Sequence, residues 1–209
     1  MDLYNVFPNP KIAGRGILSQ QFLDLGVTTF WIACEYIHRL PYGYNSDRND
    51  IMILFKDGYG TCSTKHAVIA VLAEELAIPV VRMFGIYAMK EDLVTGTNHI
   101  LARYKIPYVP MIHCFLAYGF HWVDLTEGND NGKNRPIKDF LFTKNVSPDI
   151  SETSEYLIYR KALVNHIFTR EKMKGIKISD VLHARTESIA LLKSKVVRNP
   201  GILPPQQAD

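Results

Sequence analysis

Cysteine is scarce in this chain, and its three copies, Cys34, Cys62 and Cys114, form no CxxC or CxxH pair. That excludes a four-thiolate zinc site, and an odd count in 209 residues gives no disulfide framework. Long apolar runs are also missing, since no stretch reaches the roughly 18 residues of a membrane-spanning helix. The start, Met1 to Pro8, lacks the basic and then apolar pattern of a secretory leader. Neither sign of charge dominates: 24 Lys and Arg against 21 Asp and Glu leave +3, too balanced to call for a nucleic-acid or membrane partner. Internal repeats and low-complexity tracts are absent. These absences lead to the expectation of a soluble, cytoplasmic protein kept reduced, with no metal and no cofactor.

The composition, 47% hydrophobic and 22% charged, is that of a folded domain with a sizeable core. Residues 1–20, rich in Pro, Gly and Asn, read as an irregular arm, residues 21–150 as the core, and residues 151–209 as a helical extension. The extension carries ten basic against six acidic side chains, a mild asymmetry that fits a solvated face. Within the core, apolar spacing predicts a helix from Phe22 to Leu40, stopped by Pro41. The stretch from Cys62 to Ala77 has no Gly or Pro and is apolar on every side over Ala67 to Ala73, which predicts a helix buried in the middle of the domain. Strands are predicted over Val80–Tyr87, Val109–Ala117 and Phe120–Leu125. The extension reads as two helices separated by Gly175, with Pro200, Pro204 and Pro205 ending ordered structure.

Cys62 follows the flexible Gly58-Tyr59-Gly60-Thr61 and opens the buried helix. Unpaired N–H groups and the positive end of the helix dipole converge there, so the position favours a thiolate and could hold an oxyanion. Downstream, two β-type runs flank Tyr118-Gly119. A tight hairpin with those two loop residues would pair Ala117 with Phe120, Phe115 with Trp122, and His113 with Asp124. His113 would then have an orienting carboxylate directly across the ladder and its other ring nitrogen free for the sulfur of Cys62.

Gly60-Thr61-Cys62-Ser63-Thr64-Lys65-His66-Ala67, continuing through Leu72, Leu76 and Ile78-Pro79-Val80 to Phe84-Gly85, resembles the core motif of the transglutaminase-like superfamily. His113 and Trp122-Val123-Asp124-Leu125-Thr126 resemble its second and third motifs, and the three occur in the family's order. The resemblance covers Trp31 to Thr126, with Ala77 standing where Gly is common and Cys114 where a small residue is usual. It implies an α+β fold of papain-like topology, in which a buried helix carrying the nucleophile packs on an antiparallel sheet. It further implies Cys62 as nucleophile, His113 as general base and acid, and Asp124 as orienter. The implied chemistry is attack on a peptide or protein amide through a thioester, with hydrolysis favoured because nothing resembles a calcium-site loop. Two other classes stay open: an acyltransferase, by protein-glutamine transamidation or coenzyme A-dependent amine acylation, and a catalytically silent binding module.

Other residues carry weaker signals. His66, one turn after Cys62, reads as a buried polar contact rather than a second base. His121 falls on the face opposite His113 and reads as structural or exposed. Glu74-Glu75 read as a solvated helix edge. Trp122 reads as core or as a wall of the site, and Tyr36, Tyr42, Tyr44 and Tyr59 as possible cleft lining.

Overall fold

The computed structural model of the chain describes residues 4–196. Its helices are α1 (Ile17–Asp24), α2 (Phe30–Arg39), α3 (Ile53–Asp57), α4 (Cys62–Glu75), α5 (Thr97–Tyr104), α6 (Glu152–Ala162) and α7 (Ile178–Lys195). The strands are β1 (Val81–Met89), β2 (Val109–Tyr118), β3 (His121–Val123) and β4 (Phe142–Val146), paired antiparallel in the order β3-β2-β1-β4. The architecture is α+β.

α4 is the central element. It has no polar stripe because the side chains from Cys62 to Ala70 are all buried, as the apolar pattern of its middle predicted. It packs against α1, α2 and β2, and the core on that side includes Leu72, Val68, Phe22, Phe30 and Leu116. Tyr87, Met89, Val109 and Met111 on the other face of the sheet meet α5 and α7. α6 contributes Tyr159 and Ala162 to a third cluster with Phe84 and Ile86. The C-terminal extension therefore packs on the core. Its prolines at 200, 204 and 205 lie outside the described residues.

The single helix expected over Phe22–Leu40 is two helices, α1 and α2. Gly26 breaks it with a left-handed backbone (φ 74°), and Thr29 caps the new start by accepting from the Ile32 N–H. Residues 4–16 are irregular, as the arm was read, but Tyr4, Phe7 and Ile12 are buried in the α4 core, and α1 begins inside the expected arm. Glu74-Glu75 do not form a solvated edge. Glu75 accepts from the backbone N–H of Leu18 (3.1 Å) and Ser19 (2.6 Å) and from Ser19 Oγ (2.6 Å), so it caps α1, whose N-cap Gly16 has no side chain for the task. Only Glu74 is exposed.

The hairpin turns one residue later than predicted. Tyr118 pairs with His121, Ala117 with Trp122 and Leu116 with Val123, so Gly119-Phe120 form the loop and Gly119 takes the positive φ (55°). Every pairing slides by two, which corrects the direct His113–Asp124 pair and the Phe115–Trp122 pair. A shift of two preserves the face of each side chain, and Asp124, just past the end of β3, still reaches His113 on the diagonal.

Candidate active site

β3 pairs only with the far end of β2, so β2 is open on that side at His113 and Cys114. The N-terminus of α4 fills the gap. Consecutive strand residues point to opposite faces, and the first turn of α4 meets both. Cys62 lies beside His113, while Ser63 Oγ is 3.6 Å from Cys114 Sγ.

The helix start is built by short-range bonds. Thr64 Oγ1 accepts from the Thr61 N–H (3.0 Å) and bonds the side-chain oxygen of Asn45 (2.7 Å). Beneath it, Glu155 of α6 lies 2.5 Å from Arg48, 3.4 Å from Arg82 and 3.3 Å from both Ser63 Oγ and Cys114 Sγ. Thus a residue of the extension supports the site, a role its sequence context did not signal.

His113 is 2% exposed. Its Nε2 lies 2.6 Å from Asp124 Oδ2. A carboxylate only accepts, so that nitrogen carries the proton and Nδ1 is left for the sulfur. Tyr87 meets the ring edge-on and Phe140 stacks over it, with centroids at 6.3 and 6.4 Å. Phe140 fits there because Gly85, across the ladder from His113, has no Cβ: one placed there would sit 2.4 Å from the Phe140 ring.

Asp124 is fixed in turn. Its Oδ1 accepts from Thr126 N (2.8 Å) and Oγ1 (2.6 Å). His66, fully buried, donates from Nδ1 to the Cys62 carbonyl (2.7 Å), and its Nε2 accepts from the Leu125 N–H (2.8 Å). It ties the helix start to the segment carrying Asp124 and is a polar contact, as read from the sequence.

The electrostatics follow from this packing. The Cys114 thiol beside Cys62 draws its pKa well below the usual thiol value. The charge and hydrogen bond of His113 and the charge of Lys133 act the same way, against burial. Burial alone would lower His113, but Asp124 and Cys62 together raise it to about 9. Desolvation raises Asp124, yet His113, His66 and Thr126 hold it well below the carboxylate range. The other two thiols are raised: Cys34 by burial, and Cys114 by its bond to Cys62 and by burial. The arrangement can hold a thiolate–imidazolium pair near neutral pH.

Of the four tyrosines, Tyr42 and Tyr44 feel the charge of Cys62, as does Tyr87, which the sequence reading missed. Tyr36 packs on Phe22 and Phe55, and Tyr59 covers Gly43. Trp122 is not core. It is 57% exposed and leans on Phe115 and Phe140, while His121 is exposed as expected.

Lys65 was also missed as a support. Fully buried, its Nζ donates to the His38 and Leu40 carbonyls and to Asn129 Oδ1 (2.8 Å), joining the end of α2 to the loop after Asp124. Among the described residues no group of three or more His, Cys, Asp or Glu could hold a metal ion, and no helix is long and apolar enough to cross a membrane. Comparison with protein-family models, curated proteins and solved structures returned no match.

Proposed function

We propose that the chain is a transglutaminase-like thiol enzyme, with the papain-like arrangement of helix and sheet, that cleaves an amide or peptide bond. The observation that carries this reading is the group of side chains centred on His113, with Asp124 2.6 Å from Nε2 and Cys62, at the first turn of α4, close enough to raise the pKa of the imidazole. Cys62 as thiolate attacks the carbonyl carbon, and the negative charge moves to the carbonyl oxygen. The unpaired N–H groups of the first helical turn are the donors placed to receive it. Collapse of this intermediate breaks the C–N bond, and His113 gives its Nδ1 proton to the departing amine. A thioester on Cys62 and a neutral imidazole remain. His113 then takes a proton from water as the water oxygen attacks the thioester, which releases the acid and restores the ion pair. Asp124 keeps the ring in one tautomer throughout and stabilises it when charged.

Intact-mass spectrometry with a panel of peptide amides and activated esters tests the proposal. The expected result is an acyl adduct on Cys62, removed by hydroxylamine, absent from Cys62→Ala and resolved by water into free acid. Product carrying an added amine in place of water would move the reading to acyl transfer. No adduct on Cys62 from any ester in folded protein would refute it.

A further inference from the structure

The segment after Asp124 builds a second feature beside the thiol. Residues 127–135 are bound at several points: Asn129 accepts from Lys65 (2.8 Å), Asn131 Nδ2 donates to the Thr126 carbonyl (2.8 Å), and Asn134 N donates to the Leu93 carbonyl (2.9 Å). Three left-handed residues, Gly128, Asp130 and Gly132, fold the chain back. The loop presents Lys133, whose Nζ stands 5.6 Å from the centre of the Tyr42 ring; burial lowers its pKa from the usual lysine value, and the charges of Cys62 and Asp124 act against that to keep the ammonium. Lys133, Asp124, Asn131, Arg135 and Ile137 line a cavity of about 210 Å3.

The other charges around this cavity are largely committed. Asp124 is held by His113 and Thr126, and Arg135 is paired with Asp92 at 2.5 Å. Glu127 lines the cavity too, but burial and Asp124 push its carboxyl toward the acid form. Among the described residues Lys133 forms no ion pair, whereas Lys56 and Lys174 do. A cation held over an aromatic ring, next to a nucleophile and without a carboxylate of its own, is arranged for an anion that arrives from outside. One free ammonium matches a single negative charge.

We propose that Lys133 selects the acyl donor by receiving a carboxylate that the substrate carries close to the scissile carbonyl. The inference rests on Cys62 being the nucleophile and adds the substrate class, an acidic amide or peptide. Its test needs no knowledge of the natural substrate. Iodoacetate and iodoacetamide both alkylate a thiolate with loss of iodide and differ in carrying or lacking a carboxylate. The ratio of their rates at Cys62 is expected to fall about fivefold in Lys133→Met and to recover in Lys133→Arg. The ratio cancels any change in the thiolate itself. In the unaltered protein, millimolar glutarate should slow alkylation by iodoacetamide while neutral glutaramide does not, and this arm decides the matter if Lys133→Met does not fold. An unchanged ratio in folded Lys133→Met, or no protection by glutarate, overturns the proposal while rapid iodoacetamide labelling leaves the thiol reading standing. Slow, unselective labelling by iodoacetamide overturns both.

Discussion

Replacing Asp124 by Asn changes little in shape and a great deal in proton placement. The carbonyl oxygen of Asn can keep the two bonds from Thr126, which turns the amide N–H toward His113 Nε2, 2.6 Å away in the native site. That nitrogen must then accept, so the ring proton moves to Nδ1 and faces the sulfur. Cys62 loses its base. The charge of Asp124 is also the leading influence that lifts His113 to about 9 against burial. Returning the ring to its ordinary value near 6.5 is a change of roughly 2.5 units, or about 3 kcal/mol. The ratio of ion pair to neutral pair should therefore fall at least about 100-fold. The assay is the pH dependence of Cys62 alkylation by iodoacetamide. Native protein should show a plateau that begins in mild acid and extends to about pH 9. Asp124→Asn should show one rise centred at or above the ordinary thiol value of about 8.5. Superimposable profiles would refute the reasoning, because Asp124 would then have no influence on the pair.

Three further outcomes follow from the same geometry. His66 is buried neutral with its pKa lowered to about 4 by desolvation, with the charge of His113 acting the same way, and protonating Nε2 would also cost the bond from Leu125. The unfolded chain binds that proton near pH 6.5, so stability should fall by about 3 kcal/mol as pH drops from 6.5 to 4. Urea unfolding should show this slope, and His66→Gln should flatten it. Lys65→Met leaves the Leu40 carbonyl and the Asn129 amide oxygen without their donor, while the His38 carbonyl keeps the bond from Asn129 Nδ2. The expected loss is about 2–4 kcal/mol by urea unfolding, with faster hydrogen exchange in residues 127–135, and unchanged exchange there would deny Lys65 its anchoring role. Ala77 holds a left-handed backbone (φ 56°) at the end of α4, where the Ile78 N–H bonds the Ala73 carbonyl and the Ala77 N–H bonds that of Glu74. Glycine fits this helix end better, so Ala77→Gly should stabilise the protein by up to about 1 kcal/mol, read as a higher midpoint in urea.

The parts of the fold with one dominant local signal were legible in the sequence. An all-round apolar run announced α4, and the β-branched runs announced β1 and β2. The break at Gly26 was masked by apolar spacing that continues through it. β4 was hidden because Phe142–Val146 is mostly exposed edge strand, whose residues need no alternation. The hairpin was displaced because Tyr118-Gly119 and Gly119-Phe120 offer the same glycine to neighbouring turns, and the parity of the ladder kept His113 and Asp124 on one face regardless. The supports of the site were not legible. Glu155 and Lys133 reach it from distant or irregular segments, where a charged residue looks the same whether it is solvated or buried, and Lys65, on α4 itself, finds its partners at the end of α2 and in the loop after Asp124, which local spacing does not reveal.

The central claim is that Cys62 is held as a thiolate by His113. Thiolate ultraviolet absorbance of the native protein minus that of Cys62→Ser, followed from acid to alkaline pH, measures it directly. The account predicts a full Cys62 thiolate signal at pH 7 that disappears only well into acid. A signal absent at pH 7 and rising only around the ordinary thiol pKa of about 8.5 would contradict it.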